Sequence, residues 1–194
     1  MTKKTFPGDK VLAREQLRSL LEYLGEDPER EGLKRTPERI LGSWERIFGG
    51  YLIDVKDVFT TFEEDSAIPY NQIILLKNID FFSTCEHHFL PFTGKVHVAY
   101  IPTDKIVGVS KLARIVEIFS RRLQIQERIG NQVTEALMKN LNAEGAACII
   151  EATHSCMTCR GVEKQNSIMV TSSLRGSFMD DAQTRNELLT LIRS

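Results

Sequence analysis

The residues with the greatest chemical capacity sit in two short stretches. Cys85-Glu86-His87-His88 places a thiol, a carboxylate and two imidazoles in four consecutive positions. The second stretch, His154-Ser155-Cys156-Met157-Thr158-Cys159-Arg160, adds a histidine, two cysteines and an arginine. Cys85 and His88 are three apart, so one turn of chain can aim both at a single point. Cys156 lies 71 positions beyond Cys85. Thiolate and imidazole are zinc ligands, and a catalytic zinc keeps one position open for water. Cys85, His88 and Cys156 would supply three ligands. The two thiolates favour zinc over harder divalent ions.

The spacing admits a second reading, in which Cys159 is the fourth ligand of a closed structural site. Ligand pairs in small zinc modules stand about 12–20 residues apart, because there the metal folds the chain. The much longer gap here implies a scaffold with its own core that delivers ligands from two strand ends. His87, His154 and Glu86 are surplus to a structural site. A histidine titrating near neutral pH is a ready acid or base, although support of the ligands or simple exposure would also explain both. Arg160, with Lys111 and Arg114 on the first turns of a helix near Ser110, suggests an anionic substrate such as a phosphate. Taken singly, each of these charges is as well explained as solvated surface. Glu127 near a helix start either offsets the helix dipole or reads paired N–H donors such as guanine presents.

The elements that must position these groups follow from periodicity. Residues 1–9 read as disordered. Val11, Leu12, Leu17, Leu20, Leu21 and Leu24 predict a helix over 10–24, stopped at Gly25. Thr36-Pro37-Glu38 predicts a helix start with a hydroxyl cap, and that helix runs to Gly49-Gly50. Gln72 to Phe82 and Gly94 to Ile101 predict strands. In the second of these, His97 faces away from Val96, Val98 and Tyr100, as a solvated or locally satisfied side chain. Ser110 is predicted to cap one helix, and a second spans about 126–141. Strands over 146–153 and 167–174 and a closing helix over 180–193 complete the chain. Cys148, within Ala-Ala-Cys-Ile-Ile, reads as a buried strand thiol.

Two helices, then ββααββ and a last helix, predict an α+β fold with an antiparallel sheet and helices on one face. Exposed sheet edges favour an oligomer. The expected division is an N-terminal helical extension over 1–50 and a catalytic domain over 51–194. The 194 residues carry a net charge of -1 and a pI near 6.4, which argue against a nucleic-acid or anionic-membrane partner. No secretory pattern and no apolar run long enough to span a bilayer appear, so a cytoplasmic protein is expected.

Four segments carry a family resemblance: Ser-Thr-Cys-Glu-His-His (83–88), Val-Gly-Val-Ser-Lys-Leu-Ala-Arg-Ile-Val (107–116), Gln-Ile-Gln-Glu-Arg (124–128) and Glu-Ala-Thr-His-Ser-Cys-Met with Arg-Gly (151–161). In this order they closely resemble zinc-dependent GTP cyclohydrolase I, from about Thr36 to the C-terminus. The resemblance implies the tunnelling fold, a homodecamer with interfacial sites, Zn2+ as cofactor and GTP as substrate. It implies hydrolysis at C8 of guanine by a metal-activated water, release of formate and closure to 7,8-dihydroneopterin triphosphate.

Residue by residue, Cys85, His88 and Cys156 are implied as metal ligands. His154 would protonate N7 and His87 would open the ribose. Ser110 would assist the sugar rearrangement, and Gln126 would lie near C8. Glu127 is implied as the guanine reader, and Lys111, Arg114, Arg160 and Arg39 as triphosphate contacts. Glu86 would support the ligands. Cysteine at 159 departs from the family pattern and is expected to be a bystander. Two other functions compete: a nitrile reductase of the same fold, and a non-enzymatic zinc module that contacts nucleic acid. The two zinc-ligand motifs argue against the first; the acidic balance and the long ligand gap argue against the second.

Overall fold

A computed structural model describes residues 4–59, 61–63, 70–103 and 105–194. In chain order the elements are helices α1 (Lys10–Tyr23) and α2 (Thr36–Ile47), two 3-10 turns, and strands β1 (Thr61–Glu63), β2 (Ile74–Cys85), β3 (Pro91–Ile101) and β4 (Lys105–Val107). There follow α3 (Val109–Ser120), β5 (Leu123–Gln124), α4 (Gln126–Leu141), β6 (Gly145–His154), α5 (Ser155–Thr158), β7 (Met169–Gly176), α6 (Ser177–Asp180) and α7 (Ala182–Arg193). The main sheet has the order β5-β2-β3-β6-β7. Its long strands are antiparallel, and β5 adds a short parallel pairing at the end of β2. This is the expected ββααββ arrangement, with β1 and β4 forming a separate two-stranded sheet.

The alternation in β3 sorts its side chains between two cores. Val96, Val98 and Tyr100 are fully buried against Leu112 and Ile115 of α3 and Ile129, Val133 and Leu137 of α4. Ala99 and Ile101 point the other way, joining Ala147, Ile149, Phe178 and Leu188. The two long helices therefore cover one face, and α6 and α7 close one end of the other. Burial of these apolar side chains is the main force holding the layers together.

Several local expectations change. Of the stretch 1–9 expected to be disordered, residues 1–3 lie outside those described, and Asp9 caps α1, its carboxylate accepting from Val11 N at 2.7 Å and Leu12 N at 3.3 Å. Thr36 does not cap α2. It occupies the first helical position, and its hydroxyl donates back to Gly32 O. Ser110 likewise sits inside α3, whose cap residue is Gly108. Of the two expected alternatives for His97, solvated or locally satisfied, the second holds: the ring is buried and its Nδ1 accepts from Asn78 N at 3.4 Å beside a bulge in β2. Asn78 adopts a positive φ of 61°, tolerable for asparagine, and this turns its N–H toward the ring. Cys148, as expected, is wholly buried on β6, and burial pushes its thiol far up.

Antiparallel pairing brings four chain ends together at one end of the sheet: Cys85 closing β2, Pro91 opening β3, His154 closing β6 and Met169 opening β7. The C-terminal end of α3 and the first turn of α4 meet them there, through β5 and through hydrogen bonds from Gln126.

Candidate metal centre

Residues 85–90 form a closed turn at this end of the sheet. Cys85 N donates to Leu90 O at 2.8 Å, and Phe89 N donates back to Cys85 O at 2.9 Å. The turn exposes His87, His88 and Phe89 while Cys85 stays 6% exposed. Cys85 Sγ lies 3.7 Å from His88 Nδ1. Cys156 arrives from the one-turn helix α5. The ligand atoms of Cys85, His88 and Cys156 all lie within 4.8 Å of one another. No other combination among the described residues groups three such side chains. Two soft sulfurs and an imbalance of protein ligands, three rather than four, fit a zinc site with an open position. Burial raises the Cys156 thiol, and Cys85 raises it further. Metal entry must therefore displace a proton there.

His154 is held more tightly than its neighbours. Its ring stacks on Phe92 at 4.5 Å, 6° from parallel. Its Nε2 is 2.8 Å from Gln126 Oε1. Gln126 is 1% exposed, and its amide nitrogen donates to Ile150 O, Met169 O and Thr171 Oγ1 at 3.0–3.1 Å. With the nitrogen so occupied, Oε1 must face the imidazole, and His154 must carry its hydrogen on Nε2. Nδ1 is left as the lone-pair nitrogen. Burial holds His154 below its ordinary pKa, partly opposed by Glu127, so the neutral ring is favoured.

Glu86 points away from the cluster to α4. Arg128 grips it through both guanidinium nitrogens, Nη2 lying 3.0 Å from Oε1, and this pairing holds the Glu86 carboxyl below the usual range. Arg128 Nη1 also reaches Gln124 Oε1, and Glu86 N donates to Gln124 O. His87 Nδ1 lies 4.0 Å from Cys85 Sγ and its Nε2 lies 3.9 Å from Glu86 Oε1. Arg160 Nη1 lies 3.4 Å from His88 Nε2. Cys159 is exposed and stands outside the ligand cluster.

The sequence-derived site residues thus divide. Cys85, His87, His88, Gln126, His154, Cys156 and Arg160 gather at one end of the sheet. Glu127, exposed on the first turn of α4, lines a shallow cleft with Asn131, Thr171 and Ser173 along the edge strand β7. Ser110, Lys111 and Arg114 start α3, whose far end is the one near the metal cluster. At 1.5 Å per residue, Ser110 is about 15 Å along the helix from that end. Arg39 is exposed on the first turn of α2. The pairing of Gln126 with His154 and of Glu86 with Arg128 left no trace in residue spacing. The one available hint was the company Gln126 and Arg128 keep on the first turn of α4.

A protein-family model described as GTP cyclohydrolase I matches residues 13–193. The chain is 50% identical over 184 residues to "GTP cyclohydrolase 1" of Wolinella succinogenes, covering 95% of this chain and 97% of that one. It is 51% identical over 175 residues to the protein of the same name from a Synechococcus strain, covering 90% and 76%. The protein of that name from Campylobacter lari is 48% identical over 180 residues, covering 93% and 94%.

Proposed function

This chain belongs to the GTP cyclohydrolase I family, and from that premise we propose that it opens the imidazole ring of GTP by hydrolysis, releases formate and yields 7,8-dihydroneopterin triphosphate. The observation that carries this reading is the convergence of Cys85, His88 and Cys156 beside two further histidines. These three side chains would hold Zn2+. When bound, zinc supplies a Lewis acid that lowers the pKa of a coordinated water from ~15.7 toward ~7.

The chain's own groups do the rest. His154 presents Nδ1, backed by Gln126 on Nε2; this lone-pair nitrogen takes a proton from the attacking water and then delivers it to N7 as the ring opens. Gln126 acts as a positioning residue, since its amide is fully engaged away from solvent. His87 stands beside the ligands without belonging to them and moves the proton that opens the ribose. Ser110 assists the sugar rearrangement, Glu127 reads the guanine edge, and Lys111, Arg114, Arg160 and Arg39 hold the triphosphate. Residues 1–50 serve as a helical extension and 51–194 carry the chemistry.

The separation of Ser110, Lys111 and Arg114 from the metal cluster supports a shared site, completed by the start of α3 from another copy. A homodecamer, the cytoplasm as compartment, and neither nucleic acid nor membrane as partner complete the proposal. Among the described residues no helix is long and apolar enough to cross a membrane.

The test is incubation of the zinc-loaded protein with GTP, assaying formate and, after oxidation, fluorescent neopterin. Zinc bound with neither product formed would refute the reading. Mixing inactive Lys111→Ala and His87→Ala proteins tests the shared site. Subunit exchange should restore part of the activity, because some interfaces then combine two intact halves. No recovery after demonstrated exchange would place each site within one chain.

A further inference from the structure

Phe89 is an unusual residue for its position. It has φ of 56°, in the left-handed region that bulky side chains rarely adopt. Its side chain is also 57% exposed. Neither solvent exposure nor turn geometry calls for phenylalanine there, since glycine or asparagine would meet the backbone requirement with less strain.

What phenylalanine adds is a ring that meets α2. Its centroid lies 6.4 Å from that of Trp44 and 6.3 Å from that of Phe48, and those two rings pack edge to face at 5.6 Å. Such tilted and edge-on pairs are attractive beyond simple area burial. Phe48 is itself 7% exposed, so the cluster has a fixed base. Its base is secured further by the turn that follows α2. Gly50 N donates to Arg121 O, and Arg122 Nη2 donates to Gly50 O at 2.9 Å. A Cβ on Gly50 would come within 2.1 Å of Ile118 O, so that junction accepts only glycine.

We infer that the Trp44–Phe48–Phe89 cluster is a positioning device through which the N-terminal helix α2 holds the 85–90 turn and so aims His87 and His88. His87, His88 and Phe89 are consecutive and exposed, so the sheet alone does not fix them. The backbone bonds of Cys85 with Phe89 and Leu90 close the turn, and Glu86 ties its leading side to Arg128. Phe89 supplies the tie on the trailing side. With both in place, His88 is fixed between two restrained neighbours. Without the Phe89 contact, only the backbone bonds of Cys85 sustain the left-handed conformation, and the turn can relax toward forms that carry His88 Nδ1 away from Cys85 Sγ.

The inference rests on the zinc reading only for its functional consequence. It is tested with Trp44→Ala, Trp44→Leu, Phe89→Leu and Phe89→Gly in the full chain. In metal-free protein, hydrogen exchange at the Cys85 and Phe89 amides should speed up in the Trp44 variants, while amides in the middle of α4 keep their rates. In zinc-loaded protein, release to a chelator should accelerate about tenfold or more, the size expected when support of a ligand is removed. Turnover should fall more than KM for GTP rises, because neither Trp44 nor Phe89 is itself a guanine or triphosphate contact. Phe89→Gly, which relieves the backbone but removes the ring, should behave like Trp44→Ala. Trp44→Leu preserves the apolar face of α2 and serves if Trp44→Ala loosens that helix. Exchange and zinc release at wild-type rates in Trp44→Leu and Phe89→Gly would overturn the inference. Wild-type protein that takes up no zinc would instead refute the proposed function, and the exchange measurement would still decide the role of the cluster.

Discussion

Residues 85–90 and 154–160 each bring a cysteine and a histidine to the same place, yet they are built differently. The first is a turn closed by reciprocal backbone bonds at the end of a twelve-residue strand. The second is a four-residue helix followed by an exposed run that lacks regular structure up to β7. In the first segment the histidines are exposed and the cysteine buried. In the second the histidine is locked by Phe92 and Gln126, and Cys156 is only half-buried. The contrast separates two jobs. On the proposed function, the 85–90 turn would hold the metal and leave a proton-moving group free, and the 154–160 segment would fix a proton-moving group and close the metal site with a half-buried ligand.

The contrast is tested most severely at the two cysteines, which should both be indispensable to the metal despite their different settings. Cys85→Ala and Cys156→Ala should each abolish zinc binding and turnover, read as bound zinc per chain and formate release. Cys85→Ala should also lower the unfolding midpoint of the metal-free chain, whereas Cys156→Ala should not, since only Cys85 belongs to the buried core. His87→Ala should keep zinc and lose about 10²–10⁴ in turnover, the usual worth of a positioned acid or base. His88→Ala should lose both.

Gln126→Leu sharpens the comparison from the other side. It removes the hydrogen bonds to the carbonyls of Ile150 and Met169 and leaves the His154 ring held by Phe92 alone. Denaturant titration should show a loss of about 1–3 kcal/mol, with zinc content preserved.

Acidity supplies a further measurement. The raised Cys156 thiol must shed its proton to bind metal, so zinc affinity should rise with pH and zinc uptake should release protons to the buffer. An affinity that does not change with pH would contradict thiolate ligation. The smallest effect belongs to Cys159→Ala, which should leave zinc content and turnover unchanged.

The long elements were legible because periodicity reports them directly. Helix α4 spans the predicted 126–141, and the alternation in β3 sorts its side chains as read. Ligand spacing pointed to Cys85, His88 and Cys156 because they converge on a strand end. Helix starts were harder to read. Thr36 and Ser110 have the chemistry of caps but sit inside their helices, since a neighbouring residue supplies the first non-helical dihedral angles. Sequence alone left His97 either solvated or locally satisfied, and only the register of β2 with its bulge decides for the second. Tertiary pairings such as Gln126 with His154 and Glu86 with Arg128 join residues 28 and 42 positions apart. No local pattern encodes such pairs, because they exist only once the sheet has formed.

The four cysteines also grade the molecule by reactivity. Cys159 is open to solvent, Cys156 half-buried, Cys85 nearly closed off, and Cys148 sealed in the centre of β6. A pulse of alkylating reagent should therefore mark the chain in that order, with Cys148 modified only in molecules whose sheet has come apart. Bound metal should hide the second and third of these thiols and leave the first and last unchanged. The protein thus carries an internal clock, with one thiol timing global opening and another timing nothing but encounter with the reagent.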